Sequence, residues 1–433
     1  LGFEILEVIV LQQKKRGGHM KIEKGAAKNM ELAGYHDLEE RPGFQMAMQV
    51  VENRWYLYLA HFWHGGWTIL DVTDPSDPKF LKFVVGPDYT ETIKVQVADG
   101  IMITNLQKWI PFAGRPTDKP YEEGIYIWDV KDPVNPRRLG HWKTGVPMGT
   151  HRNYYDGGRY VHLAAGAPGF SGNIYRIVDI IDPTHPVEVG RWWLPEQWNA
   201  GGARVNTPAF GLHGPPYAVG NRAYLSYGDA GMVIVDISDI TLPKLVGRLE
   251  VYPPLGCPIA CHTVLPLPQR KLAGLSSEGI GADVVEDRFG IKKPNPLNFA
   301  GLADVSDERN PRLVSIFPVP EPPPGSPYKN FHEKGGWFGP HNWHEPANHP
   351  HFEDRDDRVY LTYFNAGVRV YDISDPYLPR EIAYYVPPNP TKRLGMMPYG
   401  NLIVSSEDIV VDKRGYIYVT DKNLGLHILR CTV

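Results

Sequence analysis

Four histidines stand at one place in four consecutive units of an internal repeat: His151 (GTHRNYY), His213 (GLHGPPY), His262 (ACHTVLP) and His341 (GPHNWHEP). The other three units carry Gln45, Glu91 and Glu407 there. Neutral imidazole is a common ligand of Zn, Cu, Fe and Ni. Carboxylates beside it can complete the shell, or accept the second ring N–H and so fix the tautomer. A single such histidine would ordinarily be a satisfied core or surface residue. Four in register point instead to one transition-metal ion per chain. The plainer reading is a polar channel lined by histidine and water.

The repeat that must position them is clearest from Gly211 to Val251. Three β-type runs follow the polar start at His213: Arg222 to Leu225, Met232 to Asp236 and Leu245 to Leu249. Asn221, Gly228 to Gly231, and Asp239 with Pro243 punctuate them, and proline presets a turn while donating nothing to a ladder. With a strand over Leu212 to Val219, the unit is a four-stranded antiparallel meander. Its third strand and following turn recur at Trp67–Asp71, Ile125–Asp129, Tyr175–Asp179, Leu302–Asp304 and Val368–Asp372. The terminal aspartates are about 50 to 70 residues apart, against about 40 to 50 for a minimal blade, so the surplus is loop.

Asn29 to His36 resembles the fourth strand of the other units, while the last unit ends at Val433 without one. Pairing the two closes a ring, and closure removes exposed sheet edges. Seven fourth strands therefore predict an all-β, seven-bladed β-propeller in which an N-terminal strand completes the last blade. Residues 29–433 form this single domain. Residues 1–28 are an N-terminal extension, partly tag-like because Gly18-His19-Met20 looks like a cloning junction. Insertions at Ile110–Glu123 and Gly279–Pro296, and a Pro/Gly-rich link from Glu321 to Phe338, are loops that can cover the ring or merely decorate it.

In a propeller the first strand of each blade lines the channel. Its start shares a face with the loop between second and third strands. That face takes His61 and His64 (AHFWHGGW), either of which could donate a proton to substrate, and Glu278. His344, three after His341, could act as a base, although strand spacing turns it to the opposite side. Trp63, Trp67, Trp337, Trp343 and Tyr399 could form an aromatic rim, or pack between blades. Cys257 and Cys261 are too widely spaced for a zinc knuckle, and three cysteines make no disulfide framework. A net charge of −4 shows no nucleic-acid or anionic-membrane footprint. No apolar run approaches the ~20 residues of a membrane helix. A cytoplasmic protein with a small-molecule substrate is expected.

The motif Met232-Val-Ile-Val-Asp, with its five kin, resembles the LVIVD repeat of β-propeller proteins over about residues 29 to 433. The histidine pattern is similar to two other seven-bladed groups: carotenoid-cleavage oxygenases, which hold Fe(II) by four histidines backed by glutamates, and selenium-binding proteins acting as methanethiol oxidases, with a histidine-lined copper site. The resemblance implies that His151, His213, His262 and His341 are ligands of one ion, Fe(II) foremost with Cu, Zn or Mn as alternatives, and that Glu91 and Glu407 are in or behind the shell. Gln45 departs from the pattern, and substrates do not carry over. The first functional reading is a metal-dependent oxidoreductase or oxygenase acting on a small organic, possibly aromatic, substrate. The second is a metal-dependent hydrolase or lyase, with His61, His64, Glu278 or Glu407 shuttling protons. The third is a non-catalytic protein-interaction platform.

Overall fold

The structure is a computed structural model that describes residues 12–15, 18–21, 25–108, 118–201, 211–251, 259–279, 285–286, 292–293, 298–346, 348–395, 397 and 400–433. The insertion calls at 110–123 and 279–296, Cys257 and Tyr399 therefore lie wholly or mostly outside the described residues.

Seven antiparallel sheets follow one another along the chain and make a seven-bladed β-propeller. Blade one, for example, runs Gly43–Val51, Arg54–His61, Gly66–Asp71 and Lys79–Val85. The second and third strands are apolar on both faces, because each blade is sandwiched between two others. Clusters such as Leu57, Leu59 and Leu70 with Val410, Tyr418 and Ile428 fill the space between neighbouring blades.

Closure occurs where the sequence places it. Met30–His36 pairs antiparallel with Gly425–Cys431 as the fourth strand of blade seven, from Met30↔Cys431 to His36↔Leu426. The chain then goes further. Asn29 turns at φ 53°, and Ala26–Lys28 adds an outermost strand to blade six against Tyr384, Tyr385 and Val386. The end of the segment assigned to the extension is thus built into the ring. Two further short strands, Gln12–Lys15 and Gly18–Lys21, pair with each other.

Two repeated devices register the blades. The aspartate that ends each third strand caps the next turn: Asp71 accepts from Thr73 N–H, Asp129 from Lys131, Asp179 from Ile181, Asp236 from Ser238, Asp304 from Ser306 and Asp372 from Ser374, at 2.8–3.0 Å. The fourth strand then meets the turn of the next blade. A Cβ at Gly34, Gly140, Gly190 or Gly247 would stand 1.9–2.0 Å from a carbonyl oxygen of that turn. Glycine is required there by close approach, not by backbone angle. In blade five Ser315 takes the place and donates its hydroxyl to Pro376 O at 2.7 Å.

Two local expectations need correction. The inner strand of blade four is Tyr217–Val219, not Leu212 to Val219, because Pro215 and Pro216 interrupt the ladder. The link between blades five and six contains a short helix, Phe331–Lys334, capped by Asn330, which accepts from Glu333 N–H at 2.9 Å.

Candidate metal centre

The inner strands are regular except at one level. In blades one, three, five and seven the pairing shifts register between Gly43 and Met46, Thr150 and Arg152, Ile259 and Thr263, and Ser406 and Ile409. Those breaks contain Gln45, His151, His262 and Glu407. In blade two Glu91 sits on a separate two-residue strand. In blade four His213 N–H reaches Ser226 O just before the two prolines. In blade six His341 and His344 are held by single backbone bonds to Thr362 O and Tyr360 O. A bulge bends its strand and re-aims a side chain. Here the same break, repeated around the ring, turns the site side chains toward the axis.

The four imidazoles form an arc. Ring centroids are 4.4 Å apart for His151–His213, 4.9 Å for His213–His262 and 4.8 Å for His262–His341. The Nε2 atoms of His151 and His213 lie 3.3 Å apart. Two nitrogens each about 2.0–2.1 Å from one ion stand roughly 3 to 3.4 Å apart, so this spacing suits adjacent ligands. Glu278 reaches into the arc. Its carboxylate lies 3.3 Å from His213 Nε2 and 3.7 Å from both His262 Nε2 and His341 Nε2. One ligand atom from each of His213, His262 and Glu278 falls within 4.8 Å of the others.

Three of the rings have their far nitrogen engaged. His151 Nδ1 faces Gln107 Oε1 at 3.1 Å, His262 Nδ1 faces Thr263 Oγ1 at 2.7 Å, and His341 Nδ1 faces Glu407 O at 2.9 Å. With Nδ1–H donating to these oxygens, each Nε2 lone pair points inward. Burial lowers the pKa of His151, His262 and His341 well below the ordinary value. They are neutral, the ligating form, at physiological pH.

The carboxylates take different stations. Glu278 ends the strand Leu272–Glu278 and does not belong to the following loop. Burial alone would raise its pKa, but the hydrogen bond from His213 and the adjacent imidazoles outweigh that and hold it at about 2. Glu407 backs His341, 3.6 Å from Nδ1, and pairs with Lys422 at 2.7 Å. Burial pushes it up to about 7 despite Lys422. Glu91 is one residue farther back: it accepts from Gln107 Nε2 at 2.5 Å, and Gln107 in turn holds His151. Gln45 Oε1 accepts from Val95 N–H at 3.1 Å and so ties blade one to blade two.

The remaining sequence candidates stand apart. His61 has Nδ1 on Pro42 O at 2.9 Å and Nε2 on Thr68 Oγ1 at 2.7 Å, and burial lowers it to about 3. His344 has Nε2 on Glu353 O at 2.7 Å and Nδ1 on Val411 N–H at 3.1 Å, a strut between blades six and seven. Neither ring turns a nitrogen toward the four histidines, so the structure does not bring these two into the site. His64 is exposed on its loop. Cys261 is buried, which pushes its thiol up to about 12 and away from the ligating thiolate.

Of the opposite wall, sequence reasoning named Trp63 and Trp337 but missed Phe44, Phe62, Ile93 and Met397, and it missed the tier beneath. Phe44, Phe62, Trp63, Ile93 and Met397 form a buried apolar cluster against Trp337. Phe44 lies 6.4 Å from the His341 ring, and Phe364 stacks under that ring at 4.7 Å. Phe364 and Trp63 hold φ 44° and 66°. Such strain in bulky residues gathers at functional sites. Trp67 and Trp343 instead pack between blades, the latter donating to Ser276 Oγ at 2.8 Å. Beneath lie Lys94, its ammonium 4.1 Å over Phe44, and Arg152, bonded to Asn342 Oδ1 at 2.9 Å. Arg152 and Asp408 follow His151 and Glu407 directly. Strict alternation would send them away from the axis, and only the register break predicts otherwise.

Comparison with known proteins agrees with the architecture. Residues 46–85, 169–193 and 217–251, in blades one, three and four, match the LVIVD repeat family. No curated protein matches the chain. Among solved structures it is similar to the β-propeller domain of Cps50 (Swd1) from Myceliophteria thermophila, at 10% identity over 91% of this chain and 98% of that one, with a TM-score of 0.52. It is also similar to the N-terminal domain of Nup159, at 10% identity over 94% and 96%, with a TM-score of 0.52. At such identity the likeness is one of fold alone. The chain is a seven-bladed β-propeller that carries LVIVD repeats.

Proposed function

We propose that His151, His213, His262 and His341 hold one divalent transition metal on the propeller axis, with Glu278 as an inward carboxylate, and that the protein is a metal-dependent oxidoreductase acting on a small organic substrate. The observation that carries this is the arc itself: four imidazoles from consecutive blades, with three Nδ1 atoms committed to protein oxygens. Charge supports it: the ionised Glu278 carboxylate lies among the imidazole Nε2 atoms, where a dication would pair with it. An imidazole set suits Zn, Cu, Fe and Ni, and the oxidoreductase reading takes Fe or Cu. When bound, such a metal supplies redox chemistry with O₂. The protein's own part is to hold an apolar, ring-sized substrate against Phe44, Phe62 and Trp63, across the axis from the imidazoles. Lys422 keeps Glu407 in place behind His341.

A hydrolytic or lyase reading is favoured by one feature, the Glu278 carboxylate among the imidazoles. It is ionised, buried and placed to take a proton from a reacting water. Metal identity separates the two readings. Elemental analysis of the wild type should give about one metal per chain, and a His151→Ala/His262→Ala double variant should have none. Iron or copper with O₂ uptake on a phenol or aryl-alkene panel supports oxidation. Zinc without O₂ uptake supports hydrolysis. Equal metal in both proteins rejects the ligand set and leaves the interaction-platform reading.

A further inference from the structure

A narrow cavity enters the propeller from the face opposite the histidines, its walls apolar (Met46, Met48, Val97, Ile409) with a line of polar side chains along its length. Asp156 and His349 stand at its mouth, Gln96 and Glu345 line its middle, and Gln45 and Asp408 set its inner end. The loop carrying His349 crosses this mouth from blade six to blade three, where Asn348 donates to Asp156 Oδ2 at 3.1 Å. Glu345 lies well inside yet keeps 11% side-chain exposure, so the cavity leaves room for water beside its carboxylate. The inner end abuts the metal centre. Asp408 follows Glu407, whose carbonyl receives the His341 Nδ1–H. From the cavity wall Glu345 faces Arg152, and Arg152 bonds Asn342, which donates to Glu407 O at 3.0 Å. Arg152 is fully buried, and its Nε and Nη1 have no protein partner. Buried groups of that kind are met by ordered water, and a polar site with several convergent partners holds it.

We propose that this cavity is a water-filled conduit that exchanges water and protons between solvent and the metal centre, from the face opposite the one that receives substrate. The inference rests on the metal reading above and serves both reaction classes. Reduction of O₂ to peroxide or water takes up protons, and hydrolysis consumes water. The imidazole face is bounded by the apolar wall of Phe44, Phe62 and Trp63, a poor route for either. A polar column on the other side keeps the two traffics apart. It conducts along water and fixed polar side chains, with no covalent change in the protein.

The test uses Cu(II)-loaded full-length protein and the longitudinal relaxation of solvent water protons, which reports exchange between water at the metal and bulk. Ala98→Phe places a ring in the cavity wall near the mouth, and His349→Gly widens the mouth; neither residue belongs to the metal centre. At equal copper content, Ala98→Phe should lower the paramagnetic enhancement several-fold and His349→Gly should keep or raise it. An unchanged enhancement in Ala98→Phe with copper retained overturns the conduit. Copper content tests the metal reading separately. If the wild type takes up no copper, that reading falls, and the conduit is judged by a high-resolution crystal structure. Ordered water from Asp156 to Gln45 supports it, and a dry cavity rejects it.

Discussion

The axis is walled by two unlike halves. Blades three to six supply four imidazoles and Glu278, each in reach of the next. Blades seven, one and two supply Glu407, Lys422, Phe44, Ile93 and Lys94, with Phe62 and Trp63 above them. The backbone is alike in both halves: antiparallel blades, an aspartate-capped turn after the third strand in blades one to six, and a break at the start of the inner strand in blades one and seven as in three and five. What differs is the residue at that break. The repeat therefore acts as a wheel that presents seven equivalent positions, and the chemistry follows from filling one arc with ligands and the other with a wall. On the proposed reading, the apolar side is where substrate would lie beside the ligands.

The largest expected effect separates the halves directly. His213→Ala removes the central imidazole, and purified protein should lose stoichiometric metal. Phe44→Leu, on the other wall, should keep its metal and instead raise KM for an aromatic substrate with metal content unchanged. If both variants lost metal equally, the division into ligand and wall would be mistaken.

Acid should break the histidine arc and the scaffold together. His162, His344 and His427 are buried and lowered to about 4 by burial. The unfolded chain takes up these protons near pH 6.5, whereas the folded chain takes them up only near pH 4. Stability is therefore complete above about 6.5 and is lost as pH falls through that window, by several kcal/mol in total. Urea unfolding at pH 7, 5.5 and 4.5 reads this as a falling midpoint. With metal bound the site should dissociate in the same range, because protonated imidazole cannot ligate.

Smaller still is the effect of one tautomer anchor. Thr263→Val removes the oxygen facing His262 Nδ1 but keeps the side chain's shape. Metal affinity should fall about 10- to 100-fold, the usual cost of losing such a partner. Competition with a metallochromic chelator measures it. Ser76→Ala, on an exposed turn of blade one, is the control and should leave affinity unchanged.

Much of this plan could be read without coordinates, and the reason is repetition. One histidine says little, but His151, His213, His262 and His341 share a place relative to the aspartates at 179, 236, 304 and 372, and equal places in a ring converge. Closure was legible for the same reason: Met30–His36 has the pattern of a fourth strand and no neighbour in sequence to pair with. What was not legible falls at departures from the repeat. Lys94, Arg152 and Asp408 reach the axis only because the inner strands slip register, and period-two reasoning assigns them elsewhere. Glu278 seemed to be a loop residue, since nothing local shows that the second strand of blade five runs one residue longer. His61 and His344 have the right types on plausible elements, yet backbone and hydroxyl oxygens and an amide already hold them. Ala26–Lys28 is too short for a pattern.

The last comparison tests whether the two halves are truly one scaffold. Gly190, in the histidine half, would place a Cβ 2.0 Å from Ile240 O, and Gly34, in the other half, 1.9 Å from Pro75 O. In both cases the obstacle is backbone of the next blade, which cannot rotate away like a side-chain tip. The fourth strand must move outward or the neighbouring turn must give. Neither glycine is in the left-handed region, so alanine costs nothing in backbone angle and the clash is the whole effect. Gly190→Ala and Gly34→Ala should each lose about 1 to 3 kcal/mol, the usual penalty of overpacking, and by similar amounts. Metal content should stay at the wild-type level in both, because these latches lie on fourth strands, at the rim and not at the axis. Guanidinium unfolding of the two variants side by side measures this. A large loss at Gly190 with none at Gly34 would mean that the strand-exchanged seventh blade is held by different forces from the rest, and that the ring is weakest at its closure.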